Sequence, residues 1–169
     1  MSKSLSILAC QLNPVVGDVS GNLALAEAML DQAKSESIDL VVLSEFFILG
    51  YPAEDLVLKP SAVRASMRAI ESLAALTRDG PAIILGGPWA DGEKLHNSAF
   101  FLSNGEITLR YDKRHLPNYG VFDEKRLFDA GTGDHKIVRF KDAKIGIAIC
   151  EEHPRTTDPR KSRSLSSHP

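Results

Sequence analysis

The chain has 169 residues, of which 43% are hydrophobic and 25% are charged, and its formal net charge is -2. This length suits one domain with a buried core and excludes two ordinary domains. The slightly acidic balance gives no reason to expect a nucleic acid or an anionic membrane surface as partner.

The first half of the chain predicts two strands separated by a helix. Residues 5–12 form an apolar run that predicts the first strand, and residues 39–45 predict the second. Between them a helix is predicted from Ser20, because apolar residues recur at helical spacing. These residues are Leu23, Ala26, Met29, Leu30 and Ala33.

A second helix and further strands follow. Ser61 is a candidate N-cap for a helix whose apolar face comprises Val63, Met67, Ile70 and Ala74. Residues 82–85 predict a third strand, which Gly86-Gly87-Pro88 is expected to stop.

Residues 98–102 and 107–111 predict a hairpin, because Asn104-Gly105 is a typical two-residue hairpin turn. A strand is then predicted over 136–140, and an apolar run from Lys144 predicts a buried strand that delivers Cys150 to a sheet edge. The β-α-β-α-β order followed by a hairpin indicates a layered α/β domain with a mixed sheet.

Three reactive side chains stand at the ends of predicted strands: Glu45, Lys113 and Cys150. A sheet holds such residues rigidly while the adjoining loops leave them accessible, so they form a candidate active site. Each has a plainer explanation when it is taken alone. Cys150 also fits a buried core thiol, Glu45 a helix cap or rim carboxylate, and Lys113 a surface lysine.

The chemistry requires a base, because a free thiol is only a few per cent ionised at neutral pH. Glu45 is the candidate base, and Lys113 is a candidate for stabilising an oxyanion. His115 is an alternative base of a Cys-His pair, although a solvated loop histidine is the simpler interpretation. Neither Cys10 nor Cys150 has a metal-type spacing, so we expect no metal site, no disulfide framework and a reducing cytoplasmic location.

The surroundings of the three residues resemble a known family. Glu45 precedes Phe-Phe-Ile-Leu-Gly-Tyr-Pro, Lys113 precedes Arg-His-Leu-Pro-Asn-Tyr-Gly-Val-Phe-Asp-Glu, and Cys150 precedes Glu-Glu. These motifs, in this order, resemble the nitrilase (carbon-nitrogen hydrolase) superfamily and its Glu-Lys-Cys triad. The stretch 116–124 is similar to the glutaminase domains of glutamine-dependent NAD synthetases.

The resemblance implies a role for each matching residue. Cys150 attacks the side-chain amide of L-glutamine, Glu45 carries the proton, and Lys113 holds the oxyanion together with the N–H after Cys150. Tyr119 and Glu124 line the glutamine pocket, with Glu124 pairing with the α-ammonium group.

The resemblance also implies partners beyond this segment. ATP and Mg would serve a synthetase domain that amidates deamido-NAD, and the segment itself would hold no cofactor. Homo-oligomers are expected for the superfamily.

The implied fold is part of an α-β-β-α sandwich, and it is expected to be incomplete. Residues 1–152 correspond to a partial carbon-nitrogen hydrolase domain, and residues 153–169 are predicted to be a disordered, non-native tail because they hold one large apolar residue, Leu165. We therefore expect the segment to be unstable or inactive on its own. Two alternatives remain open: a stand-alone amidase, such as an ω-amidase or carbamoylase, and an inactive truncated remnant.

Overall fold

The computed structural model describes residues 4–133 and 137–150. Within those residues the strands are β1 (Ile7–Ala9), β2 (Leu40–Val42), β3 (Ala82–Asp91), β4 (Lys94–Ser103), β5 (Glu106–Asp112), β6 (Ile137–Phe140) and β7 (Ala143–Gly146). The α-helices are α1 (Val19–Ser35), α2 (Pro60–Leu76) and α3 (Glu124–Leu127), and a 3-10 helix spans Glu54–Leu58.

A five-stranded sheet forms the centre of the molecule, with its strands in the order β1-β2-β3-β4-β5. The first three strands are parallel, since α1 and α2 connect them, and β4 and β5 are added antiparallel. Asn104 and Gly105 both adopt positive φ in the β4–β5 turn, as a two-residue hairpin turn requires. The predicted α/β fold with a mixed sheet is confirmed.

The alternation of side chains along the strands divides the core into two layers. Val41, Ile83 and Phe100 point to the face that α1 and α2 cover. Leu40 and Phe101 point to the opposite face, where the β6–β7 hairpin packs. Burying a large apolar side chain contributes about 1.5–3 kcal/mol, so both layers stabilise the sheet that positions the site.

The two long helices begin by different means. Asp18 caps α1, because its side chain accepts a hydrogen bond of 2.9 Å from the Gly21 N–H. The prediction that Ser61 caps α2 is wrong. The helix starts at Pro60, with Lys59 in the cap position and no side-chain cap bond. Proline suits the first helical position because its missing N–H would have had no partner there.

The prediction that Gly86-Gly87-Pro88 stops the third strand is also wrong, since β3 continues to Asp91. Gly86 bonds to the segment after β2, donating to the Ser44 carbonyl at 3.2 Å and accepting from the Ile48 N–H at 3.4 Å. Pro88, two residues on, faces the same edge of β3. Among the described residues β2 pairs with β3 only over 82–84, so the N–H that proline lacks costs no ladder bond.

The strand that precedes Cys150 is shorter than predicted, since β7 ends at Gly146. β7 pairs only with β6 within the described residues, and that ladder ends at the Ile137–Gly146 pair. Ile147 and Ile149 are instead held by burial against the sheet face. Cys150 is therefore positioned by packing rather than by a strand end.

The ladders of β1 and β2 are likewise shorter than the predicted strands over 5–12 and 39–45. The predicted start of the sixth strand at Lys136 and the predicted disordered tail over 153–169 lie outside the described residues. None of the helices in the described part of the chain is long and apolar enough to cross a membrane.

Candidate active site

Glu45 lies in a tight turn just beyond β2. The turn is anchored to β3, where the Gly86 N–H donates to the Ser44 carbonyl. A Cβ at Gly86 would lie 2.3 Å from the Phe46 nitrogen and 2.8 Å from the Glu45 Cα. Only glycine leaves space for this approach, so Gly86 allows the turn that carries Glu45 to lie against the sheet.

Lys113 directly follows β5, as the sequence predicted, and its side chain is only 1% exposed. Its ammonium donates to Glu45 Oε1 at 2.9 Å and to Glu124 Oε1 at 2.9 Å. Its main-chain N–H donates to the Asn97 carbonyl at 2.8 Å. The lysine therefore joins two carboxylates from distant parts of the chain.

The two carboxylates keep Lys113 charged. Burial alone would lower the pKa of the ammonium group, because desolvation disfavours the charged form. The hydrogen bonds and negative charges of Glu45 and Glu124 outweigh that effect, and the pKa of Lys113 is raised above its ordinary value. The site thus holds a fixed positive charge across the physiological pH range.

Cys150 is exposed, and its backbone has a positive φ of 55°. It lines a cavity of about 180 Å³ together with Glu45 and Asn97. The structure therefore brings Cys150 and the Glu45–Lys113 pair to one place, although their catalytic roles stay predictions. The N–H after Cys150, expected to bind the oxyanion, belongs to Glu151 and lies outside the described residues.

A second cavity of about 260 Å³ adjoins the first, and Asn97 lines both. Glu124 lines this second cavity while it is bonded to Lys113, and it is itself only 6% exposed. The remaining walls are mainly aromatic or charged. They include Phe46, Tyr51, Phe122, Phe128, Asp55, Asp123 and Arg126.

Tyr119, the other residue predicted to line a glutamine pocket, is 55% exposed. Its ring contacts that of Phe122 edge to face, with the ring centroids 5.7 Å apart. Phe122 lines the larger cavity, so Tyr119 stands behind one of the walls. Its role in substrate binding stays a prediction.

Tyr51 lines the larger of these two cavities and lies close to the reactive groups. Burial raises the pKa of its phenol most strongly, and the negative charges of Glu124 and Glu45 raise it further. Lys113 acts in the opposite direction, and Cys150 adds a smaller upward contribution. The phenol therefore lies within electrostatic reach of all three candidate catalytic groups and remains protonated at neutral pH.

Asn97 was not predicted from the sequence as a site residue, although the structure places it against both Glu45 and the backbone of Lys113. Asn97 is 1% exposed and donates from Nδ2 to Glu45 Oε1 at 2.7 Å. A signal was present in the sequence. His96-Asn97-Ser98 is a polar run directly before Ala99-Phe100-Phe101-Leu102, and polar side chains in a buried strand need specific partners.

His115, the alternative base, is exposed on the loop after Lys113. In the described part of the chain no group of three or more His, Cys, Asp or Glu side chains could hold a metal ion. These residues do not fit the magnesium ion or ATP implied for a synthetase domain, so no step of the chemistry is derived through them.

Comparison with known proteins gives the family and the relatives of this chain. The carbon-nitrogen hydrolase family matches residues 7–161. The chain is 40% identical over 156 residues to the glutamine-dependent NAD(+) synthetase of Rhodobacter capsulatus, covering 91% of this chain and 28% of that protein. It is 39% identical to the Thermotoga maritima enzyme of the same name, covering 96% of this chain and 28% of that protein. The chain thus spans little more than a quarter of these relatives.

Solved structures give the same relationship. Glutamine-dependent NAD+ synthetase from Acinetobacter baumannii superposes with a TM-score of 0.82 at 32% identity, covering 88% of this chain and 28% of that one. An amidase from Nesterenkonia sp. superposes with a TM-score of 0.76 at 21% identity, covering 88% and 58%, and this likeness concerns the fold alone. With its mixed sheet and the family match over most of its length, the chain belongs to the carbon-nitrogen hydrolase family.

Proposed function

We propose that this chain is the glutamine-hydrolysing part of a glutamine-dependent NAD synthetase. The observation that carries the proposal is the ion pair at 2.9 Å between the buried Lys113 ammonium and Glu45, whose carboxylate lines one cavity with Cys150. A thiol, a carboxylate and a fixed positive charge at one place are what acyl transfer from an amide requires.

In the first half of the reaction the sulfur of Cys150 attacks the side-chain carboxamide carbon of glutamine. Glu45 accepts the thiol proton as the carbon-sulfur bond forms. The Lys113 ammonium stabilises the negative charge that develops on the amide oxygen. The carbon-nitrogen bond then breaks, and Glu45 passes its proton to the departing ammonia, leaving a thioester on Cys150.

Water completes the cycle. Glu45, ionised again, takes a proton from a water molecule as that water attacks the thioester carbon. The carbon-sulfur bond breaks, the proton returns to the sulfur, and glutamate leaves. Each turnover consumes glutamine and water and gives glutamate and ammonia.

The larger cavity supports an amino-acid substrate. Its volume of about 260 Å³ lies between aromatic walls, and Glu124 lines it. Among the described residues that line it, the four acidic ones outnumber the cation Arg126; they are Glu54, Asp55, Asp123 and Glu124. A carboxylate in this position favours a substrate with an α-ammonium group, which is the role proposed for Glu124.

The proposal for the whole protein goes further than this chain. The chain covers 28% of two relatives that are named glutamine-dependent NAD(+) synthetases. Their names support the proposal that the whole protein is a ligase that uses the released ammonia. ATP and Mg would bind the synthetase domain, and deamido-NAD would be amidated there. A cytoplasmic location and a homo-oligomeric state belong to the same proposal.

The test is ammonia release from L-glutamine, compared with release from a panel of other carboxamides. It is run on this chain and on a second protein, called the joined protein. In the joined protein, residues 1–150 of this chain replace the matching region of the Rhodobacter capsulatus relative, and the rest of that relative follows. We expect little or no ammonia release from this chain alone. The joined protein should release ammonia with a preference for L-glutamine, and its Cys150→Ala variant should lose that activity.

Three other outcomes would overturn the proposal in different ways. Preference for another amide over glutamine favours a stand-alone amidase such as an ω-amidase or carbamoylase. A folded joined protein that releases no ammonia favours the inactive remnant. Ammonia release that survives Cys150→Ala removes the cysteine from the chemistry.

A further inference from the structure

Asn97 contacts both members of the candidate ion pair. Its side chain donates to Glu45 Oε1 at 2.7 Å, and its main-chain carbonyl accepts from the Lys113 N–H at 2.8 Å. Because Asn97 lies within β4 and is 1% exposed, these contacts come from a rigid part of the sheet. One residue thus fixes the side chain of Glu45 and the backbone of Lys113.

The two oxygens of Glu45 are in different environments. Oε1 accepts two hydrogen bonds, one from Asn97 Nδ2 at 2.7 Å and one from Lys113 Nζ at 2.9 Å. Oε2 accepts no hydrogen bond from the described residues. An oxygen that already accepts from an amide and an ammonium group is the weaker proton acceptor of the two.

The orientation of the asparagine amide follows from its partner. A carboxylate only accepts hydrogen bonds, so the NH₂ group of Asn97 and not its carbonyl oxygen has to face Glu45. Asn97 Oδ1 is buried and has no hydrogen-bond partner in the described part of the chain. Leaving a buried acceptor in this state is unfavourable, which indicates that the contact with Glu45 is maintained at the expense of stability.

We propose that Asn97 is a positioning residue for Glu45: it holds Oε1 in place, and Oε2 is the atom that exchanges the proton with Cys150. This inference rests on the proposed amide hydrolysis, because it assigns a role within the same site. The side chain of Asn97 takes no proton itself and acts through its contact with Glu45.

Other groups near Glu45 influence the same proton. Lys113 approaches from the end of β5, and Glu124 from α3 bonds to the same ammonium group. Tyr51 lies within electrostatic reach, and Cys150 shares the cavity. A substitution at Asn97 leaves these side chains in place. Asn97→Ser, which adds no charge, therefore assigns a change in the alkylation rate to the lost Nδ2 donor.

The test is Asn97→Asp in the full chain, because this substitution keeps the shape of the side chain and replaces the donor with an acceptor. The measurement is the second-order rate of Cys150 alkylation by iodoacetamide from pH 5 to 9, with the modified peptide identified by mass spectrometry to separate it from Cys10. We expect the rate at pH 7 to fall about tenfold, since losing a charge-assisted hydrogen bond typically has an effect of this size or larger. We also expect the pH profile to move to higher pH.

Asn22→Asp is the matched control. Asn22 is also 1% exposed and is hydrogen-bonded through its side chain, but to Val15 and Ile48. The control is expected to lower the melting temperature while leaving the pH profile of alkylation in place. If the control moves the profile as far as Asn97→Asp does, the effect is one of general destabilisation and the inference is wrong.

The decisive comparison repeats Asn97→Asp in a Glu45→Gln background. If the Asn97 side chain acts through Glu45, Asn97→Asp should change the alkylation rate of Cys150 less than twofold in this background. An equal tenfold loss of rate in both backgrounds would overturn the inference. Asn97→Ser removes the amide donor without adding a charge, and it is measured alongside Asn97→Asp, including where the latter does not fold. If only Asn97→Asp lowers the rate, the added carboxylate is responsible and the inference is wrong. Alkylation needs no substrate, so failure of glutamine hydrolysis and failure of the positioning role are separate results.

Discussion

Replacing Lys113 with methionine removes the charge that joins Glu45 and Glu124. The lysine side chain is 1% exposed, and the side chains of its partners are 23% and 8% exposed. Removing one member of a buried ion pair costs about 3–5 kcal/mol, because a charge then stays in a poorly solvated position. We expect Lys113→Met to lose stability in this range, which is a large part of the total for a domain.

Urea unfolding at pH 7, followed by circular dichroism, measures this loss. With a slope of about 2 kcal/mol per molar urea, the midpoint should fall by about 1.5–2.5 M. Lys141→Met is the matched control, since Lys141 pairs with Asp39 and is 53% exposed. A surface pair contributes about 0–1 kcal/mol, so the control should move the midpoint by less than about 0.5 M.

A double substitution separates the lost charge pair from lost packing. Lys113→Met combined with Glu124→Gln removes the more deeply buried of the two carboxylates, so it should regain part of the stability that Lys113→Met loses. If Lys113→Met costs no more than the Lys141 control, or if the added Glu124→Gln only destabilises further, the reasoning about a buried charge pair is refuted.

Three other predictions follow from the site. The pKa of Lys113 is raised in the folded state, so its stabilising charge is fully present below the unfolded pKa of about 10.4 and is lost as pH rises through the folded pKa. The difference in urea midpoint between wild type and Lys113→Met should therefore stay constant from pH 7 to 9. It should narrow only above about pH 10.4. A gap that narrows below pH 9 would contradict this. Gly86→Ala should lower the free energy of unfolding, measured in urea, by about 1–3 kcal/mol or more. Gly87→Ala should lower it less, because the added Cβ would come closest to the flexible end of Ile70, at 3.0 Å. Equal losses would argue against the close approach at Gly86. Cys150→Ala should change stability by less than about 0.5 kcal/mol because Cys150 is exposed, and a larger loss of urea midpoint would show a packing role.

Local patterns were sufficient to predict much of the fold. Helical spacing located α1, whose buried residues include Ala26, Leu30 and Ala33, and Asn104-Gly105 located the hairpin. These features depend on residues close together in the chain, where periodicity and turn chemistry act directly.

Features that depend on distant contacts were not predictable in the same way. β3 passes through Gly86 and Pro88 because the turn after β2 lies against one edge, and nothing near these residues in the sequence indicates that turn. The strand before Cys150 ends at Gly146, which pairs with Ile137 at the end of the described ladder. Ser61 was the wrong cap because Pro60 already starts the helix.

The residues of the candidate site differ in the same way: some could be predicted from the local sequence, and one could not. Glu45, Lys113 and Cys150 were proposed as site residues because each stands at the end of a predicted strand and in a family motif. Asn97 lies inside a strand, and its importance comes from a contact with Glu45 across 52 positions of the chain. Side chains that position a reactive group from within a sheet carry little local signal.

In the proposed reaction Cys150 forms a covalent bond with a carboxamide substrate, and Glu45 accepts the thiol proton and passes it to the departing ammonia. The most direct measurement is acid quenching of the joined protein during turnover of L-glutamine, followed by peptide mass spectrometry. We expect a γ-glutamyl thioester on the peptide that contains Cys150, and we expect Glu45→Gln to change its amount. An adduct on Cys10, or turnover with no adduct and no dependence on Cys150, would contradict it.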